Sequence, residues 1–242
     1  MKKILILFII SFNLNSCDNN SYQLIDKDLN NLLDEYYEKG LILNPISATS
    51  SGDNRFNDKF PELITNKYRK QQLEYYQYYL NEINKFNSFS LSENDKISKE
   101  ILIWECEVNI RLLDFNTHYT PIDQMWSVHL IIGQLASGQG AQPFNSLQDY
   151  KNWLLRLKGY LDWIENAKEN MKIGIKNGYV LPKALINKVI PQIKALTEYD
   201  LNNNLFYSPI KNFPKDFDDK TKLKLKKTYS KIILENVVPI HE

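Results

Sequence analysis

The fold is decided by one long stretch, residues 146–178, which reads SLQDYKNWLLRLKGYLDWIENAKENMKIGIKNG. Ser146 and Asp149 are typical of a helix start, and Gly178 is typical of the residue just after a helix end. Between them, apolar side chains recur at helical spacing at positions 150, 153, 154, 157, 161, 164, 171 and 175. The stretch therefore predicts a single long helix with one buried face.

The rest of the chain has the same helical periodicity. Further apolar stripes predict helices at residues 24–36, 63–86, 97–115, 182–196 and about 218–238. Pro182 suits the first position of its helix, and Pro191 is expected to kink that helix. The sequence contains no convincing strand pattern and no repeat of fixed period. We therefore predict an all-α fold, a bundle of about six to eight long amphipathic helices.

Composition restricts the classes of function. The 242 residues carry 30 basic and 29 acidic side chains, which gives a formal net charge of +1. Because no excess of positive charge is present, we expect no nucleic-acid partner. The hydrophobic fraction of 43% is too high for a disordered tail, and the length suits one large globular domain.

The first seventeen residues, MKKILILFIISFNLNSC, have the order of a bacterial lipoprotein signal. Two lysines precede an apolar run too short to span a membrane, and Ser16 provides a small residue before Cys17. We expect cleavage to leave Cys17 as a lipid anchor that bears acyl chains such as palmitate, which places the chain in the cell envelope, on the periplasmic or surface side of a membrane. The alternatives are an ordinary signal peptide or a buried helix. The expected domains are a signal peptide, a lipidated cysteine with its tether, and a helical domain, at 1–16, 17–22 and 23–242.

A search for catalytic chemistry in the sequence finds no metal or nucleophile pattern. The histidines are His118, His129 and His241, and no two of them are three or four residues apart, so no helix presents an imidazole pair to zinc. Cys106 lies between two glutamates, whose charges raise the pKa of a thiol, so we predict a core cysteine. We therefore assign no metal ligand and no catalytic residue to this chain.

Two segments carry polar residues in patterns too particular for plain loops. Residues 44–62, NPISATSSGDNRFNDKFPE, contain an acidic and basic pair, Asp53 and Arg55, which can pin the ends of the first two helices. Residues 129–144, HLIIGQLASGQGAQPF, combine three glycines with three glutamines. An amide-rich, flexible loop of this kind suits a peptide-binding cleft, because amides both donate and accept hydrogen bonds. The alternative is a plain turn between helices.

Three segments in this order resemble the N-terminal part of the bacterial family called domain of unknown function 885. They are the two segments above and, at residues 169–196, ENMKIGIKNGYVLPKALINKVIPQIKAL. The resemblance extends from about Leu32 to Val238. It implies half of a larger all-α fold similar to that of helical zinc peptidases of the gluzincin type, in a family with many lipoproteins. The zinc site of the family, an H-E-x-x-x-G-H-H-like helix with a later glutamate, lies in its C-terminal half.

The chain departs from this family in length, since family members are more than twice as long and the zinc helix has no counterpart here. We therefore carry over no zinc ligand, and expect zinc only together with a C-terminal half. By resemblance, the chain is an N-terminal fragment of a lipid-anchored, metallopeptidase-like protein, inactive alone, that supplies scaffold and peptide contacts. The residues expected to contact the substrate are His129, Gln139 and Gln142. The alternative is a self-sufficient helical lipoprotein that binds a peptide, a glycan or a protein partner.

The fragment interpretation also predicts an exposed apolar surface. The helix at residues 97–115 has two stripes, one made of Ile97, Ile101, Trp104, Val108, Leu112 and Phe115, the other of Leu102, Cys106, Ile110 and Leu113. Two stripes are typical of a helix sandwiched between neighbours. If one of these neighbours belongs to another half of the protein, an apolar stripe of this chain is left uncovered. That stripe is on this helix, on the long helix or on the last helix. We expect a concave apolar face with residues 129–144 near its rim.

Overall fold

The computed structural model describes residues 19–242, with their side chains from residue 28 onward. Its α-helices are α1 (Asn19–Leu43), α2 (Pro45–Ser50), α3 (Asn66–Ile83), α4 (Glu93–Leu112), α5 (Val128–Ala136), α6 (Leu147–Lys176), α7 (Lys183–Lys194), α8 (Ser208–Lys211), α9 (Asp219–Ile232) and α10 (Val238–His241). One π-helical turn, Ile233–Val237, joins the last two. These residues form no strand, which confirms the all-α class. Cys17, the predicted lipid anchor, lies outside the described residues.

Helix α6 forms as the sequence predicts. The hydroxyl of Ser146 accepts a hydrogen bond from the backbone N–H of Asp149, whose carboxylate accepts one from the backbone N–H of Ser146, at 3.3 Å and 2.8 Å. This reciprocal arrangement satisfies two backbone donors that the first turn of a helix leaves without partners. At the other end, Gly178 has φ +80°, a conformation that glycine adopts without strain.

The main core lies around α6. The helix buries Tyr150, Trp153, Leu157, Tyr160 and Ile164, and residues of α5, α9 and the C-terminal segment pack against them. Buried tyrosine hydroxyls in this core have partners. The Tyr150 hydroxyl donates to the carbonyl of Pro209 at 3.0 Å, and the Tyr229 hydroxyl donates to the carbonyl of Tyr150 at 2.9 Å. The long helix is therefore the element against which the C-terminal third of the chain folds.

A second core lies between α1, α3 and α4. Its buried members are Leu29, Tyr79, Ile83, Leu91, Leu102 and Cys106. Burial raises the pKa of the Cys106 thiol to about 12, and the charge of Glu105 adds to the effect. Cys106 is therefore an inert core cysteine, as the sequence predicts. Of the two stripes on α4, the one with Cys106 is buried, while most of the other is open to solvent.

The prediction of a flexible loop over residues 129–144 is wrong for its first half, which is helical in α5. The apolar run from Val128 to Ala136 packs into the main core, and this burial outweighs the cost of about 1 kcal/mol for Gly133 within a helix. A Cβ atom at Gly133 would lie 3.2 Å from the Leu205 side chain, so the glycine allows a close contact. Only the turn after α5 remains irregular.

Within residues 19–242, the helices are too short or too polar to cross a membrane.

Candidate functional site

An apolar cavity of about 420 Å³ lies between α6, α7 and α10. Its walls include Trp163, Ile164, Met171, Ile186, Val189 and Ile240. The polar side chains among its lining residues include His129, Tyr160 and His241, with Lys168 also present. A concave, mostly apolar site with a few polar groups is the usual form of a small-ligand pocket. We therefore take this cavity as the candidate functional site.

His129 lies in the first turn of α5 and is held at both ring nitrogens. Its Nε2 lies 3.2 Å from Oε1 of Gln192, whose own amide nitrogen donates to the carbonyl of Gln124 at 3.1 Å. The amide oxygen of Gln192 therefore faces the ring, so Nε2 carries the proton and donates. The other nitrogen, Nδ1, lies 2.9 Å from the hydroxyl of Ser127 and accepts from it. Burial lowers the pKa of His129, which favours this neutral form.

His241 is held in the opposite tautomer. Its Nδ1 lies 2.6 Å from the carbonyl oxygen of Val237, so Nδ1 carries the proton. Its Nε2 then accepts from the hydroxyl of Tyr160, which lies 2.8 Å away. Burial lowers the pKa of His241, and the nearby positive charge of Lys168 acts in the same direction. The cavity is therefore bordered by two neutral imidazoles whose orientations are fixed.

The described side chains do not fit a zinc site. Both ring nitrogens of His129 and of His241 are engaged with protein groups, so neither ring offers a free lone pair. In the part of the chain that the structure describes, no three His, Cys, Asp or Glu side chains are grouped closely enough to hold a metal ion. The side chains that line the cavity are suited to binding apolar groups and to forming hydrogen bonds.

A buried arginine lies outside the cavity, one helical turn before Tyr160 on α6. Arg156 of α6 is fully buried, and its guanidinium joins the two segments that the sequence singled out. Nε and Nη2 donate to the carbonyl oxygens of Lys59 and Phe56, at 2.8 Å and 2.6 Å. Nη2 also donates to the hydroxyl of Thr49 at 2.8 Å. On the other side, Nη1 donates to the amide oxygen of Gln142 at 2.6 Å.

This cluster holds a charge without a directly bonded carboxylate. Burial lowers the pKa of Arg156 to about 10, and the negative charge of Asp58 opposes that shift. The guanidinium therefore stays protonated at neutral pH, and neutral oxygens stabilise it. Residues 44–62 and the turn after α5 are fixed to α6 through this one side chain.

The structure places the three predicted substrate residues in three different environments. His129 lines the cavity. Gln142 is buried in the Arg156 cluster, where its Nε2 also lies 3.4 Å from the carbonyl of Asn57. Gln139 is exposed, and its backbone N–H donates to the Ser137 hydroxyl at 3.1 Å. The geometry therefore brings none of the three into contact with another.

The pairing of Asp53 with Arg55 has the structural role that the sequence allowed. The Arg55 guanidinium donates to the Asp53 carboxylate at 2.6 Å, and its other nitrogen lies 2.8 Å from Glu38 of α1. The hydrogen bonds from Arg55 lower the pKa of the Asp53 carboxyl. Because Arg55 and Glu38 are exposed, their ion pair contributes little to stability. The contacts fix the loop against the end of α1.

Sequence reasoning missed Arg156, Tyr160 and His241. The one local signal was an arginine inside the buried stripe of the long helix, directly before Leu157. No sequence pattern connects Tyr160 with His241, because 81 residues separate them.

The fold and cavity define a class, an all-α protein with an apolar pocket bordered by neutral histidines. A family model described as "Bacterial protein of unknown function (DUF885)" matches residues 45–242. The chain therefore belongs to the DUF885 family, as the resemblance predicted. No curated protein matches the chain.

Proposed function

We propose that this chain is the non-catalytic, substrate-contacting part of a lipid-anchored, zinc-peptidase-like protein, and that its cavity receives an apolar side chain of a peptide. The observation that carries this proposal is the cavity itself, with apolar walls from α6, α7 and α10 and with His129 and His241 held neutral at its edge. The family membership gives the context for the peptidase part of the proposal.

The chemistry of the cavity favours an uncharged, apolar group. Its volume of about 420 Å³ lies in the range of ligand pockets and accommodates one large side chain. Burial of a Leu or Phe side chain contributes about 1.5–3 kcal/mol. Protonation of either histidine would put a charge against these walls, and burial already opposes it. A ligand with a charged side chain at this position would bind weakly.

No catalytic step is assigned to this chain. The histidines of the cavity do not fit a metal, and we propose that zinc belongs to a C-terminal half of the kind that the family resemblance implies. The chain alone would then bind peptide without cleaving it. In this proposal His129 orders one wall of the cavity through Gln192 and Ser127.

The proposal includes membrane attachment through Cys17. The support is the order of the N-terminal residues: lysines, an apolar run, Ser16 and the cysteine. Acylation at this position would tether the helical domain to the cell envelope through a short polar segment.

A second candidate is a self-sufficient helical lipoprotein that binds a peptide, a glycan or a protein. The observation that favours it is the extent of the two cores, which bury large side chains such as Trp153 and Phe206 within this chain. The two candidates differ in how the isolated protein behaves. A soluble chain that unfolds cooperatively and whose binding is unchanged by any second polypeptide favours the second candidate, whereas aggregation or cleavage activity that appears only with a second polypeptide favours the first.

A cavity-filling variant tests the proposal. Ile186 of α7 lines the cavity, and Ile190, one turn further along the helix, is not among the lining residues. We expect Ile186→Trp to weaken binding of a blocked pentapeptide with a central Phe at least about tenfold, while the matched control Ile190→Trp leaves it unchanged. Binding is measured by titration calorimetry on the full chain. Equal affinities for the two variants would contradict the proposal.

A further inference from the structure

The exposed stripe of α4 is a surface without a partner in the described chain. Four of its side chains, Ile97, Ile101, Trp104 and Leu112, are 53–64% exposed, and Phe115, just after the end of the helix, is 60% exposed. Val108, between them, is half-buried. Monomeric proteins rarely leave so many large apolar side chains in one continuous row. The opposite side of the same helix, with Leu102 and Cys106, is fully packed, so exposure of the stripe is specific to one face.

The spacing of the stripe suits another α-helix. Within α4 its members follow one another at steps of four, three, four and four residues. Steps of three and four keep side chains on one face of a helix, against which the side chains of a second helix can pack. The occupant of this surface is therefore a helix with a matching seam.

The α4 helix itself has that matching seam when it runs in the opposite direction. In the antiparallel register that pairs Trp104 with Val108 of a second copy, Ile101 meets Leu112 of the second copy. Twofold symmetry repeats each contact, and Ile97 lies toward the end of the second copy's helix, where the turn with Phe115 follows. Ile101, Trp104, Val108 and Leu112 each find an apolar partner in this register.

Charges on the flank of the stripe complement each other in the same register. Glu100 directly precedes Ile101, and Arg111 directly precedes Leu112. The two are eleven residues apart, close to three helical turns, so they lie on the same side of the helix. Antiparallel pairing therefore places Glu100 opposite Arg111 of the second copy, twice. Both side chains are exposed and available for this contact.

We propose that α4 is a self-association surface through which two copies of this chain form an antiparallel, twofold-symmetric dimer. The register has one unfavourable feature, because the two copies of Glu107 come near the twofold axis on the same flank. Their like charges oppose association, so Glu107→Gln is expected to tighten the dimer. This inference concerns a face of the molecule different from the cavity and does not depend on the proposed function.

Sedimentation of the purified full chain from about 1 µM to 1 mM tests the proposal. We expect a monomer–dimer equilibrium that Ile101→Glu abolishes over this range. The matched control is Leu223→Glu, which changes an equally exposed leucine on α9 and should leave the equilibrium intact. A wild-type chain that stays monomeric throughout, or an Ile101→Glu variant that still dimerises, would overturn the proposal.

A charge exchange tests the register. Glu100→Arg alone and Arg111→Glu alone should each weaken the dimer at least about tenfold, because each places like charges opposite one another. The double variant Glu100→Arg/Arg111→Glu should restore wild-type association. Failure of the double variant to associate better than either single variant would reject the antiparallel register. Because both positions are exposed, unfolding curves recorded at concentrations where the chain is monomeric should be the same for all variants.

Discussion

Nη1 of Arg156 donates a hydrogen bond to the amide oxygen of Gln142 across 2.6 Å, with both side chains buried. This contact connects the long helix to the turn after α5. The same guanidinium also donates to the carbonyl oxygens of Phe56 and Lys59. Residues 44–62 and the turn after α5 are therefore joined to α6 by one charged side chain among neutral acceptors, and loss of that side chain leaves several buried acceptors without donors.

We predict that Arg156→Met lowers the free energy of unfolding by about 3 kcal/mol or more, since each orphaned buried acceptor costs about 1–3 kcal/mol. Arg156→Lys should recover only part of this loss, because an ammonium cannot span the acceptors that a planar guanidinium reaches. Urea unfolding of the full chain measures both. The control is Arg55→Ala, whose exposed ion pairs predict a much smaller loss. Similar losses for Arg156→Met and Arg55→Ala would contradict this account of the cluster.

Gly159→Ala separates helix propensity from packing. Alanine at the centre of α6 would be favourable by about 1 kcal/mol on propensity alone. A Cβ atom there, however, would lie 2.7 Å from Cβ of Phe60, too close for contact. We predict net destabilisation by about 1–3 kcal/mol in urea unfolding. The comparison is Asn166→Ala on the exposed face of the same helix, which should be neutral or mildly stabilising. If the Gly159→Ala variant were more stable than the wild-type chain, contact with Phe60 would not be what excludes a larger residue from position 159.

The contact of Tyr160 with His241 predicts a pH dependence of stability. Burial lowers the pKa of His241 in the folded chain, so the unfolded chain binds the proton more readily. Stability is therefore fully present above the unfolded pKa of about 6.5 and falls as the pH drops below it. The pKa values of His118 and His129 are lowered in the same direction.

The double variant Tyr160→Phe/His241→Phe should reduce this dependence between about pH 5 and 7, because one titrating group is removed together with the hydroxyl that faces it, although the carbonyl of Val237 loses its donor. Tyr160→Phe alone should keep the slope and cost about 1–3 kcal/mol, since it leaves Nε2 of His241 without a donor. Urea unfolding at several pH values measures the slope. A slope unchanged in the double variant would exclude His241 as a source of the dependence.

Membrane attachment is tested at Cys17. We expect the wild-type chain in a bacterial host to take up labelled palmitate and to sediment with membranes. Cys17→Ser should lose the label and leave the membrane fraction, because an unmodified serine offers no acyl anchor. Cys106→Ser is the control, since that thiol is buried in the core and should not be acylated. Labelling that persists in Cys17→Ser would refute the lipid anchor.

The sequence predicted α6 well because three independent signals agreed there: the Ser146 cap, the apolar stripe and Gly178. The sequence did not predict α5, because a glycine such as Gly133 is more typical of a loop than of a helix. The helix is stabilised by burial against distant residues such as Leu205, and no local pattern reports such a contact. Local sequence signals therefore predict a helix correctly only where tertiary contacts favour the same structure.

The candidate site was less predictable than the fold. His129 was singled out, but its partner across the chain, Gln192, carries no sequence signal. Most acceptors of Arg156 are backbone carbonyls, which every residue has, so their convergence appears only in three dimensions. His241 reaches Tyr160 because the C-terminal segment folds back onto α6.

The central claim is that the cavity recognises an apolar side chain. The most direct measurement is the affinity of the full chain for three blocked pentapeptides that differ only in their central residue, which is Phe, Leu or Ser. We predict that the Phe and Leu peptides bind about 10- to 100-fold more tightly than the Ser peptide, which corresponds to about 1.5–3 kcal/mol for the buried side chain. The preference should disappear in Ile186→Trp. Equal affinity for the three peptides, or a preference that survives Ile186→Trp, would contradict the claim.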